Sequence, residues 1–221
     1  ADILSPEDFH DIEALAFDAY GHKLPARDAK NLPLCRQTLL SAVTFAEMVD
    51  PDRNILLAIL LQPMHNAEII DDDFVLKRWG DDILSIISGI EAVTRFSNRN
   101  NATNQDNFRG LMLALARDIR VIIVMIVQNL VLMRSINHHP DDIWVRNVAF
   151  EANYLYAQLA HRLGLYKIKG ELEDLSLKYT NREIYTQIAH KLNATKRSRD
   201  QYIKEFIEPL RKRLEQEAFE F

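Results

Sequence analysis

Apolar residues recur along this chain at the three- and four-residue spacing of helices, and one run dominates the pattern. Phe108–Ile136 contains no proline, and its second half, Val121–Met133, is apolar except for Gln128 and Asn129. A helix that is apolar on nearly all sides must be buried on nearly all sides, so the run predicts a central core helix. A membrane span would need about 20 mainly apolar residues. Charged residues interrupt this run too early for that: Arg117, Asp118 and Arg120.

Shorter amphipathic runs predict about ten helices in all. The first begins with Ser5 as the capping residue and Pro6 in the first turn. Its apolar positions are Phe9, Ile12, Ala16 and Ala19. Further predicted helices are Leu39–Val49, Asn54–Leu61 closed by Pro63, a helix with Ile83, Ile86, Ile87 and Ile90 facing the core, Ile143–Leu163 ending at Gly164, and Leu165–Lys178.

The last third of the chain continues the helical pattern. Thr180–Glu183 has the spacing of a capping box, followed by an apolar face of Ile184, Ile188 and Leu192. A final helix is expected to turn Ile203, Phe206, Leu210 and Leu214 inward despite Pro209. The polar stretch Ser97–Asn107 is predicted to be a loop. Because glycine (6) and proline (7) are scarce, the sequence predicts an all-α, multi-helix bundle.

Composition narrows the range of partners. The chain has 221 residues and a formal net charge of −5, so no global field favours nucleic acid or an anionic membrane. The basic stretch Lys196–Arg199 is more typical of a solvated linker or helix start than of a nucleic-acid patch. The single cysteine, Cys35, permits no internal disulfide, and with no basic-then-apolar signal at the start this favours the cytoplasm.

Motifs that carry chemistry are scarce. None of the seven histidines forms the His-x-x-x-His pair that places two imidazoles on one helix face. No nucleophile elbow surrounds a serine, and no glycine-rich loop could cradle a phosphate. One face of the central helix is mainly valine with one amide, which is typical of a packed face: Arg117, Val121, Val124, Gln128, Val131 and Ser135.

Three stretches resemble the RelA/SpoT stringent-response proteins: Ala116–Ser135, Tyr156–Tyr179 and Lys196–Gln216. The resemblance implies the all-α fold of the His-Asp metal phosphohydrolases. Active members of that family hold a divalent metal, usually manganese, and remove the 3′-pyrophosphate from guanosine tetra- and pentaphosphate. Their metal ligands are an early His, a His-Asp pair after an apolar helix, and an Asp on the central helix. A Glu-Asp pair assists the attacking water.

The chain departs from the family at each of these places. Gln62 and Pro63 stand where the resemblance places His-Asp, and Gln128 replaces the central Asp. The early His falls near Gln37, and the family's basic nucleotide loop has no match between Leu24 and Asn31, although Arg27 lies nearby. Ser135 alone keeps a hydroxyl among the base-contacting positions. The other changed positions are Asn66 and Ala67 for the Glu-Asp pair, and Val131 and Leu132 for a His-Asn pair.

The resemblance therefore implies a catalytically inactive hydrolase domain over residues 1–195, with 196–221 as a linker helix toward a synthetase absent from this chain. The parent would be a GTP pyrophosphokinase, which transfers pyrophosphate from ATP to GDP or GTP. The expected partners are that synthetase domain and, through the full-length protein, the ribosome, without membrane or nucleic-acid contact by this domain. No cofactor is expected, since manganese would need an intact site.

Two alternatives remain open from the sequence. A relocated metal site could use His65 and Glu68, which lie beside the lost His-Asp pair. A nucleotide-binding sensor could keep the pocket without catalysis, although several phosphate charges would need arginine or lysine partners. The regulatory or supporting role for a synthetase is the leading hypothesis.

Overall fold

A computed structural model of the protein describes residues 3–50, 52–99 and 118–216. Across these residues the chain is helical, and its one β pairing is an isolated bridge between Arg27 and Pro33. The predicted all-α class is therefore confirmed. The helices are α1 (Pro6–Asp18), α2 (Leu34–Met48), α3 (Arg53–Asn66), α4 (Asp72–Trp79), α5 (Asp81–Arg99), α6 (Ile119–Ser135), α7 (Asp142–Glu151), α8 (Ala157–Arg162), α9 (Tyr166–Thr180) and α10 (Arg182–Gln216), with π-helical turns at Ala19–Lys23 and Ala152–Tyr156.

The central helix is α6, which packs against α2, α3 and α5. The prediction of a buried core helix is confirmed, because most of its apolar side chains are buried. The prediction of one continuous helix from Phe108 is wrong, because the helix is interrupted at Asp118. Asp118 has an extended backbone (φ −153°, ψ 113°) and caps the helix by accepting from Arg120 N at 2.9 Å. Residues 108–117 of the predicted helix lie outside the described part of the chain.

Helices α3 and α5 complete the core beside α6. Ile83, Ile86, Ile87 and Ile90 of α5 are at most 1% exposed, as predicted. Pro63 does not close α3, which continues to Asn66. A proline removes one backbone hydrogen bond, here the one that the carbonyl of Ile59 would accept, yet the helix continues for the three residues after it. Likewise α5 extends to Arg99, so residues 97–99 of the predicted loop are helical, and its residues 100–107 lie outside the described part.

Helix α2, predicted as an apolar helix over Leu39–Val49, buries a mixed face in which Ala42 and Phe45 lie beside three hydroxyl residues. Leu39 and Val43 are half exposed or more, whereas Thr38, Ser41 and Thr44 are buried. Two of these hydroxyls donate to carbonyls of their own helix, Thr38 to Leu34 at 3.1 Å and Ser41 to Gln37 at 2.8 Å. Because such back-bonding satisfies the hydroxyl, a Thr or Ser face can be buried at little cost.

The first helix is capped as predicted. The hydroxyl of Ser5 accepts from Asp8 N at 3.1 Å, and the Asp8 carboxylate accepts from Ser5 N at 3.2 Å. Asp8 also accepts from Arg53 Nε of α3 at 2.7 Å, and this hydrogen bond holds the pKa of Asp8 at about 2. Ile12 and Ala19 are buried as expected, but Phe9 is 61% exposed, so it does not join the core.

The described chain forms two compact units, Ala1–Ser176 and Leu177–Phe221. In the second, Asn181 rather than Thr180 caps α10, since its Oδ1 accepts from Ile184 N at 3.1 Å. The predicted inward positions Ile203 and Phe206 are exposed, so that expectation is wrong, and the side chains of residues 210 and 214 are outside the described part. Helix α10 runs unbroken through the predicted domain boundary at residue 195, which stays a prediction.

The apolar helices of the described ranges do not reach membrane-spanning dimensions. None combines the length and the hydropathy that a bilayer crossing requires.

Candidate functional site

Two glutamines meet between α3 and α6 at the positions where the resemblance places metal ligands. Gln128 Nε2 donates to Gln62 Oε1 at 2.6 Å, although the two residues lie 66 positions apart in the sequence. Gln62 is buried, at 9% exposure, on a helix whose neighbouring side chains are almost all apolar. The amide pair therefore closes the α3–α6 interface at this point, and each glutamine satisfies part of the other's hydrogen-bonding capacity.

The other positions at which the resemblance places functional groups, together with Asn129 beside Gln128 in the sequence, offer little to a cation. Val131 is 1% exposed, Leu132 is half-buried, and the backbone carbonyl of Val131 accepts from Ser135 Oγ at 2.7 Å. Asn129 Oδ1 is buried and has no hydrogen-bond partner among the described residues. Gln37 on α2 is half-buried, and its backbone carbonyl accepts from Ser41.

This donor set does not fit the divalent ion that the fold family implies. Hard divalent ions bind best to ionised carboxylates, often with imidazole, whereas Gln62 and Gln128 are neutral amides already bonded to each other. Pro63 has no side-chain donor at all. Within the described ranges, no group of three or more His, Cys, Asp and Glu residues is arranged to hold a metal.

A separate charged cluster surrounds His65 at the end of α3. Its Nδ1 lies 2.6 Å from Glu91 Oε1 of α5, and its Nε2 lies 2.8 Å from Asp72 Oδ1 of α4. Burial disfavours the charged imidazole, but the hydrogen bonds to Glu91 and Asp72 outweigh it and raise the pKa of His65 above 6.5. Because an ionised carboxylate only accepts hydrogen bonds, the ring can donate to both Glu91 and Asp72 only when both of its nitrogens are protonated.

The predicted pair of His65 and Glu68 is not brought together by side-chain contacts. Nδ1 of His65 contacts Glu91 and Nε2 contacts Asp72. Each carboxylate therefore lies beside a different ring nitrogen, and one ion bound to a single nitrogen of His65 would not contact both carboxylates. Glu68 is exposed, with a left-handed backbone (φ 56°) just after the helix. Its neighbours Asn66 and Ala67, which replace the Glu-Asp pair, are exposed as well.

Sequence reasoning missed Glu91 and Asp72. Asp72 belongs to the acidic run Asp71–Asp73, which predicts the start of a helix. Glu91 is one polar position on an amphipathic helix. Neither pattern points to His65. The contact arises because α3 and α5 pack side by side, and the short helix α4, which lies between them in the sequence, packs against α5.

The basic residues of the loop before α2 are engaged locally. Arg27 Nη1 donates to the Asn31 carbonyl at 2.6 Å, and Asn31 itself has a left-handed backbone (φ 61°). Lys30 Nζ lies 5.3 Å from the ring centre of Trp144, and His139 Nε2 contacts the Lys30 carbonyl at 3.1 Å. The loop is therefore tied to the start of α7, and its cations already have partners.

Comparison with known proteins gives one family and a consistent set of relatives. Residues 14–166, more than half of the chain, match the HD domain family. A GTP pyrophosphokinase from Photobacterium angustum is 28% identical over 84% of this chain and 26% of its own length. That from Escherichia coli K12 is 28% identical over 76% of this chain and 23% of its own length.

A third relative carries the name of the hydrolytic activity. The "probable guanosine-3′,5′-bis(diphosphate) 3′-pyrophosphohydrolase" of Synechocystis is 33% identical over 64% of this chain and 19% of its own length. The chain thus spans about a quarter or less of the length of the relatives that it matches.

Proposed function

Because this chain belongs to the HD domain family, in its RelA/SpoT branch, we propose that it is a hydrolase-like domain without hydrolase activity. It would act in regulation or support of the (p)ppGpp synthetase of a longer protein. The observation that carries the proposal is the hydrogen bond between Gln62 and Gln128, which occupies the place assigned to two metal ligands.

The chemistry of metal-assisted hydrolysis supports the proposal that the domain lacks hydrolase activity. A bound divalent ion lowers the pKa of its water enough to make a nucleophile only when its ligands hold it firmly in an open site. Such ligands are deprotonated groups, and their charge contributes much of the binding free energy. Here two neutral amides, a proline and a valine stand in their place. We therefore infer that the domain does not form a metal-bound water that could act as the nucleophile.

The relatives supply the supporting half of the proposal. Proteins named GTP pyrophosphokinase match this chain over a quarter or so of their length, which leaves room in them for a separate synthetase. We propose that the partner is a synthetase domain of the same parent chain, with the ribosome engaged only through the full-length protein. No cofactor, membrane or nucleic acid is proposed for this domain, and the cytoplasm is its proposed location.

The first test is metal content together with hydrolysis. The purified chain is incubated with excess manganese, desalted and measured by elemental analysis, then mixed with guanosine tetraphosphate while pyrophosphate release is followed. The Synechocystis relative serves as the positive control. We expect far less than one metal ion per chain and no release above background, because the amide pair offers no anionic ligand.

Stoichiometric metal with hydrolysis would contradict inactivity. Loss of that metal in His65→Gln and Glu68→Gln would then identify the relocated site. Heat on titration with guanosine tetraphosphate, without hydrolysis, would instead support the sensor alternative, for which Ser135 is the one weak candidate contact. The supporting role is judged separately, by the synthetase rate of the longer protein with and without this domain.

A further inference from the structure

His65 joins three helices through one side chain, and this contact lies outside the amide pair between α3 and α6. The ring is on α3, Glu91 is on α5, and Asp72 is in the first turn of α4. The side chain of His65 is only 11% exposed, whereas that of Asp72 is 71% exposed. The buried ring thus connects a core helix pair to a short helix at the surface.

Protonation decides how many of these contacts exist. An ionised carboxylate only accepts hydrogen bonds, and a neutral imidazole has a single N–H to donate. The protonated ring satisfies both Glu91 and Asp72, whereas the neutral ring must face one carboxylate with a lone pair. Losing one proton therefore converts one of the two attractive contacts into a repulsive one.

The surroundings of the ring favour the protonated form. The charged groups that act directly on it are Glu91 from α5 and Asp72 from α4, and a negative charge on either side of the ring stabilises the imidazolium. The ring also lies in the last turn of α3, where the helix dipole favours a positive charge. Burial works in the other direction, which makes the two carboxylates necessary for the charge.

Helix α4 is the element that depends most on this contact. It has eight residues, and only Val75 and Trp79 among them are buried. Gly80 follows with φ 94°, a backbone conformation that glycine adopts without strain and that lets the chain turn into α5. Short elements with few buried side chains open at low free energy, so one ionic contact has a large relative effect on α4.

The other ionic contacts of α4 do not respond to pH in the same range. Arg78 pairs with Glu7 at 2.8 Å and with Asp11, both of α1. Arginine stays charged throughout the accessible pH range, and carboxylates ionise well below neutral pH. Only the His65 contact changes its charge near neutrality.

We propose that His65 is a protonation-controlled latch, which holds α4 against α3 and α5 while it is charged and loosens α4 when it loses its proton. The latch does not depend on the absence of hydrolase activity. It would give the domain a conformational response to pH at a helix that leads directly into the core helix α5.

The sign of the response follows from linkage. The closed form binds the proton more tightly than the open form, where the pKa returns to about 6.5. The stabilisation of α4 is thus complete below about pH 6.5 and declines as pH rises through the raised pKa of His65. The loss approaches about tenfold in the closing equilibrium for each unit by which the pKa exceeds 6.5.

The test combines two measurements on the full chain. An NMR titration of the histidine rings gives the pKa of His65, and hydrogen exchange at about pH 5.5 and about pH 9, corrected for intrinsic rates, gives the protection of α4. We expect a pKa above 6.5 and protection of α4 that falls at high pH while α6 keeps its protection. A pKa at or below 6.5, or pH-independent protection of α4, would overturn the latch.

The chain offers a closely matched pair of variants. Asp72→Asn and Asp73→Asn remove the same charge from the same first turn of α4, but only Asp72 contacts His65. We expect Asp72→Asn to lower the pKa of His65 and to remove most of the pH dependence, and Asp73→Asn to leave both near the parent values. Equal effects of the two variants would assign the response to the helix dipole and refute the latch.

A second pair tests the ring itself. His65→Gln should abolish the pH dependence of α4, whereas His22→Gln, at an exposed histidine in the π-helical turn after α1, should preserve it. Persistence of the pH dependence in His65→Gln would overturn the proposal.

Discussion

At the scale of single residues, the hydrogen bond between Gln62 and Gln128 joins two helices at positions where the resemblance places metal ligands. An unmade hydrogen bond at a buried amide costs about 1–3 kcal/mol, whereas replacing both partners by apolar groups of similar shape is nearly neutral. The pair therefore forms a unit whose members depend on each other. Replacing one glutamine should lower the free energy of unfolding mainly because the other glutamine loses its hydrogen-bond partner.

This dependence can be measured by a double-mutant cycle. Gln128→Leu leaves Gln62 Oε1 buried without its donor, so we expect the free energy of unfolding to fall by about 1–3 kcal/mol. Gln62→Leu should cost a similar amount, and the double variant should cost clearly less than the sum of the two. Denaturant unfolding of the four proteins gives the coupling free energy. Strictly additive losses would mean that the two amides do not stabilise each other.

Part of this residue-level site could be predicted from sequence. The resemblance identified Gln62, Pro63 and Gln128 as substituted ligand positions because they lie in recognisable runs of helix. It could not show that the two amides bond to each other, because that depends on how α3 and α6 pack. The ionic cluster at His65 was missed for the same reason: its partners lie 7 and 26 positions away on other helices.

At the scale of helices, the close approach of α5 and α6 depends on Gly89. A Cβ added there would lie 2.6 Å from Val121 Cγ2, and Val121 is 2% exposed, with a branched side chain that cannot easily rotate away. Helix propensity alone would favour alanine by about 1 kcal/mol. Overpacking in a filled core costs about 1–3 kcal/mol, so the clash should win.

Thermal or denaturant unfolding of Gly89→Ala tests this. We expect a net destabilisation of up to about 2 kcal/mol, the overpacking cost less the gain in propensity. Gly170→Ala in α9 is the matched control, because a Cβ there meets no atom within 4 Å, and it should stabilise the chain slightly. If both substitutions stabilise, α5 and α6 have room between them that the structure does not contain.

The helices also show where pattern reading succeeds and fails. For α5 and α6 the apolar spacing predicted the buried face correctly, because apolar side chains there have nowhere else to be buried. For α2 the pattern predicted only an apolar helix, and it did not show that hydroxyls bonded to their own helix share the buried face with Ala42 and Phe45 while Leu39 and Val43 remain exposed. Periodicity identifies an amphipathic helix, but only packing partners decide which face is inside.

At the scale of the whole molecule, the two compact units have very different interiors. The unit Ala1–Ser176 contains the core helices, whereas in Leu177–Phe221 the long helix α10 exposes most of the apolar side chains that the structure describes there. The exposed set in α10 is Ile184, Ile188, Leu192, Ile203, Phe206 and Ile207. With these side chains exposed, the described part of α10 relies largely on its own helix propensity, and Pro209 lies within it.

Hydrogen exchange followed by mass spectrometry should therefore separate the two units. Amides of α6 should exchange only through openings close to global unfolding, and those of α10 through local openings of low free energy. We expect protection in α10 to be lower than in α6 by at least about a hundredfold, with the weakest protection near Pro209. Replacing Pro209 by alanine should raise the protection of the flanking turns and leave α6 unchanged. Equal protection in α6 and α10 would show that a partner surface already covers the apolar side chains of α10 in solution.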